Sequence, residues 1–315
     1  MPSRPVKIRA LLAALWIVGS CLFVVASGPI APPVRIVFIN VGDGDAILVD
    51  YGGTEILIDA GTYTTPSSAK ELLCQVHRYV EDGRIELAVV THPDKDHFGG
   101  FIALLEPREP AVPAESISVA KWRLFFPTLT DTPVPDKSFR RRFEALSRTR
   151  NTSDVPPDYL QVPESVFEGN GLRLFAIPTA QSGDSDARAP VLIIEYAETA
   201  VVLSGDSRTW QGVEDELRGH FQRVALLAPH HGGEGDLQNQ PQFASFLSPE
   251  SPSPDVPSPD IIIVSSKSVT SLPGPMLSCT GCGAVYSTAT NGTIVLTTDG
   301  TGFAVCVQRG AVAHR

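Results

Sequence analysis

Apolar residues in this chain fall in short unbroken runs, separated by turns rich in Gly and Asp. The runs at 34–39, 46–50 and 55–58 follow closely on one another. Asn40 to Asp45 and Tyr51-Gly52-Gly53 lie between them, so they read as three consecutive strands joined by tight turns. A helix is expected over about 69–81, then a strand at 85–90, a polar turn, and a short apolar helix at 100–105. Beyond a Pro-rich region at 107–165, strand-like runs return at 172–177, 191–196, 200–203, 224–228 and 261–264, with a helix over 211–217. The unbroken run 261–264 has the character of a strand covered on both faces, as in a parallel sheet. The last pair, 293–298 and 302–308, reads as a hairpin that closes the second of two sheets. Strands and helices in this order give an α+β layered fold.

Composition narrows the class. Of 315 residues, 43% are apolar, enough for a packed core and too many for general disorder. A net charge of −10 argues against a broad basic surface for nucleic acid. It leaves a nuclease open, because bound metal neutralises phosphate locally. Arg4, Lys7 and Arg9 precede an uncharged apolar run from Ala10 to Ala26, the layout of a secretory signal or a single N-terminal anchor. Residues 1–33 are therefore expected to be leader or anchor and 34–310 one domain, with Pro-rich insertions at 107–165 and 248–260. The protein is expected to be exported: secreted, periplasmic, or held at the outer face of the cytoplasmic membrane by that segment alone. Among five cysteines, Cys279 and Cys282 form a Cys-Thr-Gly-Cys pair. Either a local disulfide or a bridge from Cys306 to one of the pair suits an exported chain. Residues 137–150 read as a basic helix, either a solvated face or a contact for a phosphate backbone.

The chemistry sits after the strand at 85–90, in Thr91-His92-Pro93-Asp94-Lys95-Asp96-His97-Phe98-Gly99-Gly100. Imidazole nitrogens and carboxylate oxygens are the donors that zinc, manganese and iron(II) accept. A turn leaving a strand aims alternate side chains at one point, and the two glycines let the backbone pass close to a ligand. Two further stretches also follow apolar runs: Ser204-Gly205-Asp206 and Pro229-His230-His231-Gly232-Gly233. Adjacent histidines in such a place are rarely core residues, since both rings would need buried partners.

THPDKDHFGG resembles the HxHxDH signature of the metallo-β-lactamase superfamily, with Asp94 at the middle histidine. FINVGDGDAILVDYGGTEILIDAG is similar to the opening of the metallo-β-lactamase-like domain in ComEC-type competence proteins, and LSGD and HHGG match two later elements of the family. The resemblance runs over about residues 34–308 and implies a four-layer αββα sandwich. It implies one or two divalent ions, zinc or manganese, held by His92, Asp94, Asp96, His97, Asp206 and His230, with Asp206 bridging. Oxygen from Asp94 in place of nitrogen favours the harder ion. Asp96 is the expected proton acceptor, and Asp45, Asp59 and His231 are expected to orient ligands or meet substrate. The family's third histidine, ahead of the hairpin at 191–203, has no counterpart; Asp184 and Asp186 lie there as substitutes or plain loop residues. The implied activity is hydrolysis of phosphodiester bonds in a small molecule or nucleic acid, DNA outside the cytoplasm included, with no obligate protein partner. An ester, lactam or lactone hydrolase of the same fold, or a decayed binding module, are the alternatives.

Overall fold

In the computed structural model the described residues are 32–42, 44–62, 66–105, 117–125, 152–154, 163–178, 189–232, 241–247, 255–266 and 282–308. The chain divides into two units, Met1–Pro32 and Pro33–Arg315, and only the second is described below. The expected leader or anchor, the basic stretch 137–150, Asp184 and Asp186 lie outside the described residues.

The first sheet is built from β1 (Val34–Phe38), β2 (Ile47–Tyr51), β3 (Thr54–Ile58), β4 (Arg84–Val90), β5 (Ser118–Leu124), β6 (Thr152–Asp154), β14 (Thr293–Thr298) and β15 (Phe303–Gln308). Its order is β15-β14-β1-β2-β3-β4-β5-β6. The second contains β7 (Glu164–Gly169), β8 (Leu172–Ile177), β9 (Val191–Tyr196), β10 (Thr199–Leu203), β11 (Arg223–Leu227), β12 (Ile261–Val264) and β13 (Ala284–Ser287), in the order β13-β12-β11-β10-β9-β8-β7. Helices α1 (Pro66–Tyr79) and α2 (Lys95–Leu105) connect β3 to β4 and β4 to β5, which run parallel. Helices α3 (Val213–Leu217) and α4 (Pro241–Phe246) belong to the second half, and α5 (Thr288–Asn291) follows β13.

Alternation along the strands explains the layering. In β1, Val37 faces the cluster that includes Leu72 and Val76 of α1 and Phe98 and Phe101 of α2. Its neighbours Ile36 and Phe38 face the other way, onto Leu192, Ile194 and Leu203 of the second sheet. The far side of that sheet packs Ile193 and Val202 against Trp210, Val213, Phe243 and Phe246. Three apolar layers thus separate four structural ones, and the central strands need apolar side chains on both faces.

Two expectations need correction. The hairpin β14–β15 joins the first sheet, where β14 pairs antiparallel with β1 (Val34↔Thr298 to Phe38↔Ile294). β1 has a free row of backbone donors and acceptors opposite β2, and the returning strand satisfies it. The bridge from Cys306 is also excluded: Cys282 is disulfide-bonded, while Cys306 and Cys74 are free.

The topology then positions a site. In the first sheet β3, β4 and β5 run parallel, and in the second so do β10, β11, β12 and β13. The turns after β3, β4, β10, β11 and β12 leave the carboxyl ends of these parallel blocks, where open α/β sheets present their ligand sites.

Candidate metal centre

β3 leads into Asp59, which takes a left-handed backbone (φ 51°) and turns its buried carboxylate towards the next strand end. Its Oδ1 accepts the Thr91 N–H (2.9 Å); its Oδ2 accepts the Thr91 hydroxyl (2.6 Å) and the His97 Nδ1–H (2.8 Å). The Thr91 hydroxyl has one proton and gives it to Asp59. His92 Nδ1, 3.0 Å from Thr91 Oγ1, must then be the donor to that oxygen. Both rings are thereby held with Nδ1 protonated and Nε2 turned to the other side, the arrangement a metal-ligating histidine needs.

Helix α2 begins at Lys95, five residues earlier than the pattern suggested, so Asp96 and His97 occupy its first turn. The Asp94 carbonyl accepts the N–H groups of His97 and Phe98, which places Asp94 at the entry to the helix. Gly100 serves helix docking, not the passage of backbone past a ligand. Its N–H donates to the Gly61 carbonyl at 2.8 Å, and a Cβ there would stand 1.9 Å from the Ala60 oxygen.

From the second sheet, the turn after β10 carries Asp206. Its Oδ2 lies 3.6 Å from His92 Nε2 and 3.5 Å from His97 Nε2, while Oδ1 lies 3.4 Å from His231 Nε2. The turn after β11 places His230 and His231 both in the left-handed region, at φ 49° and 54°. Two such non-glycine residues in a row cost on the order of 1–3 kcal/mol each. The His230 N–H donates to the Gly205 carbonyl (2.9 Å), locking this turn to the one that bears Asp206.

His92 Nε2, His97 Nε2, Asp206 Oδ1, Asp45 Oδ1, His230 Nδ1 and both ring nitrogens of His231 are buried without a hydrogen-bond partner. Asp45, Asp59 and Asp206 are at most 4% exposed, and histidines are their only cationic partners among the described residues. Burial lowers the basicity of His97, but Asp206 and Asp59 outweigh it and hold its pKa well above the usual value. The same opposition, with Asp45 and Asp206 as the anions, puts His231 at about 9. For Asp206, burial raises the pKa and the His97 and His231 rings bring it well below the usual value. Buried anions so placed call for compensating positive charge. Donor spacing points the same way: two ligands about 2.1 Å from one tetrahedral ion stand about 3.4 Å apart. The separations of 3.4–3.6 Å around Asp206 are long for hydrogen bonds and right for ligands of a common cation. The residues fit a divalent metal.

A profile of the metallo-beta-lactamase superfamily matches residues 39–239. The chain belongs to the metallo-beta-lactamase superfamily. Comparison with curated proteins yields no match. Among solved structures, the metallo-beta-lactamase fold protein YhfI from Bacillus subtilis is similar at 13% identity and a TM-score of 0.50, over 85% of this chain and 100% of that one. A metallo hydrolase from Ignicoccus hospitalis, Igni18, gives 13% identity and a TM-score of 0.45 over 88% and 100% of the two chains. A diphosphatase of the PhnP family gives 14% and 0.44 over 80% and 94%. At these identities the likeness concerns the fold.

Within this metallo-beta-lactamase fold, the residues singled out from sequence divide. Asp45, His97, Asp206 and His231 each bring a donor atom into one group spanning no more than 4.8 Å, and Asp59, His92 and His97 do so in a second. Asp59 is saturated by Thr91 and His97, so its part in that second group is to hold the histidines. Asp96 lies at the rim, 38% exposed, with Oδ2 3.7 Å from His231 Nε2. Asp94, Asp96 and His230, all expected as ligands, belong to neither group. The His230 ring lies 6.0 Å from that of His231 at 77°, and it is His231 that faces Asp206. Thr91 escaped notice in the sequence. Its position next to His92 was visible; what it bonds was not.

Proposed function

We propose that this protein is a metal-dependent hydrolase acting on phosphodiester bonds outside the cytoplasm. The observation that carries the reading is the double facing of Asp206, with Oδ2 towards His92 and His97 and Oδ1 towards His231. A carboxylate so shared suits two divalent ions at neighbouring positions, zinc or manganese, the arrangement that two-metal hydrolases use to clamp the attacking and leaving oxygens at phosphorus. His92, His97 and Asp206 would hold one and His231 and Asp206 the other. The cation supplies Lewis acidity, polarising the ester and acidifying water.

The chain's own groups do the rest. Thr91 and Asp59 keep the His92 and His97 rings in one tautomer and orientation, so the site is set before substrate arrives. Asp96, at the solvent edge of the cluster, is placed to take a proton at Oδ2 and release it to water. The choice of phosphodiesters, small or nucleic, rests on the likeness of residues 38–61 to the ComEC-type opening, and the extracytoplasmic setting on the expected apolar leader.

The test is a purified full-length chain assayed for metal content and for turnover of bis(p-nitrophenyl) phosphate beside a lactone and a β-lactam. Manganese- or zinc-dependent phosphodiester cleavage is expected. Lactone or lactam cleavage without it would overturn the substrate class. Less than half an equivalent of bound or bindable metal would overturn the metal reading itself.

A further inference from the structure

We infer that Ser265, just past the end of β12, is a positioning residue of the metal centre: by holding the turn that carries Asp45, it fixes the ring of His231. This rests on the metal-centre reading above and adds to it a residue that no motif in the sequence singles out.

The three histidines that face Asp206 are held in different ways. His92 and His97 take their orienting partners, Thr91 and Asp59, from their own sheet, at 3.0 and 2.8 Å. His231 belongs to the second sheet, yet the carboxylate beyond its Nδ1 is Asp45 of the first, at 3.4 Å. Asp45 thus stands on the other side of the ring from the Nε2 that faces Asp206, where an orienting partner of a ligand belongs. At 3.4 Å the contact sits at the outer limit of a hydrogen bond, so a small shift of the Asp45 turn decides whether the ring is held.

Ser265 takes that freedom away. β12 pairs in parallel with β11, so residue 265 and the turn bearing His231 leave the same sheet side by side. Ser265 is 3% exposed, and its hydroxyl donates to the Gly44 carbonyl at 2.7 Å. The residue before Asp45 is thereby tied to the sheet that carries His231. On its other side the turn meets α2: Gly44 holds φ 110°, and a Cβ there would lie 2.0 Å from the Asp96 carbonyl oxygen. The Gly61 N–H donates to the Asp45 carbonyl, also at 2.7 Å. The anchor itself is braced from behind, since the Ser266 N–H donates to Thr288 Oγ1 of α5 at 3.0 Å. Of these restraints, the Ser265 hydroxyl is the one that sets Asp45 relative to His231 and its sheet.

The test is calorimetric titration of the metal-stripped full-length chain with Co2+, the visible spectrum being recorded at each equivalent, for wild type, Ser265→Ala and Thr199→Val. Thr199 Oγ1 lies 3.0 Å from Thr298 Oγ1, a buried contact between the sheets at the opposite end, so Thr199→Val controls for loss of stability alone. Wild type is expected to take two equivalents. Ser265→Ala should keep the first, whose histidines are set by Thr91 and Asp59. It should weaken the second about tenfold, the lower end of the cost of an orienting group, and alter its spectrum. Thr199→Val should lower the melting temperature and leave both equivalents as they are. A second equivalent in Ser265→Ala within about threefold of wild type, well below that cost, would overturn the assignment. So would equal weakening of both equivalents, or a loss matched by Thr199→Val. If circular dichroism shows Ser265→Ala unfolded, Ser265→Cys decides, because a thiol fills the space and donates only weakly. An unchanged second equivalent there overturns the assignment and a weakened one supports it. A wild type that takes fewer than two equivalents overturns the two-cation reading, and the assignment falls with it.

Discussion

The two ends of β3 and β4 bury carboxylates in opposite ways. At the carboxyl end, Asp59 receives two donors from Thr91 and one from His97, so its charge is compensated. At the other end, Glu55 lies 8% exposed beside Asp50 of β2 and Glu86 of β4, whose Oε2 accepts the Glu55 N–H at 3.0 Å. Arg35 answers Asp50 at 2.5 Å and leaves Glu55 without a cation. Burial, then hydrogen bonding to Glu86 and the charges of Glu86, Asp50 and Asp82, push the Glu55 pKa up to about 8. One pair of strands thus holds an anion by supplying donors and, a few residues away, a carboxyl group by letting it keep its proton. Only the first end is arranged to bind a cation.

The difference can be broken at several points. The largest effect belongs to Asp206→Asn, which removes the charge facing all three histidines; metal affinity should fall by more than about 100-fold and turnover with it, measured by metal analysis and phosphodiester assay. His231→Ala should behave similarly, whereas His230→Ala should change metal affinity by less than about threefold, well below the cost of an orienting partner. Equal losses for the two would refute the assignment of His231 over His230. Thr91→Val should cost about 10–100-fold in metal affinity, the range for groups that orient ligands, and Thr91→Ser should recover most of it. If valine were harmless, the hydrogen bonds from Thr91 would not be what sets the two rings.

The smallest effect lies at the other end. Glu55 in the unfolded chain titrates near 4.5 and in the folded one near 8, so between these values the folded state holds the extra proton. Stability from this group is full below pH 4.5, falls as pH rises through 8, and levels off above. Glu55→Gln should therefore melt higher than wild type at pH 9, by about 2–4 °C, with the gap closing by pH 5. A gap independent of pH would mean that Glu55 ionises normally.

Much of this was legible in the sequence, for local reasons. β2, β3 and β4 could be read because burial on both faces demands unbroken apolar runs, and the His-Asp motifs because their donors are crowded together. The start of α2 was hidden: Asp96, His97, Gly99 and Gly100 are poor helix formers, and the helix is held there by its contacts with Ala60 and Gly61. The sheet joined by β14 was not legible either, since its partner β1 stands at the opposite end of the domain and nothing nearby announces the pairing. Which of two adjacent histidines faces Asp206 depends on the left-handed backbone at 230 and 231, which the residue types do not encode.

The return of β14 to β1 bears on how the centre is assembled. The strand that leads to Asp45 is flanked only once residues 293–298 have come back, and Asp206 and His231 arrive on the opposite sheet. A nascent or clipped chain would thus present some donors in isolation and none of the shared grip. Cation uptake can then serve as a census of molecules that have finished folding, with intermediates left uncounted.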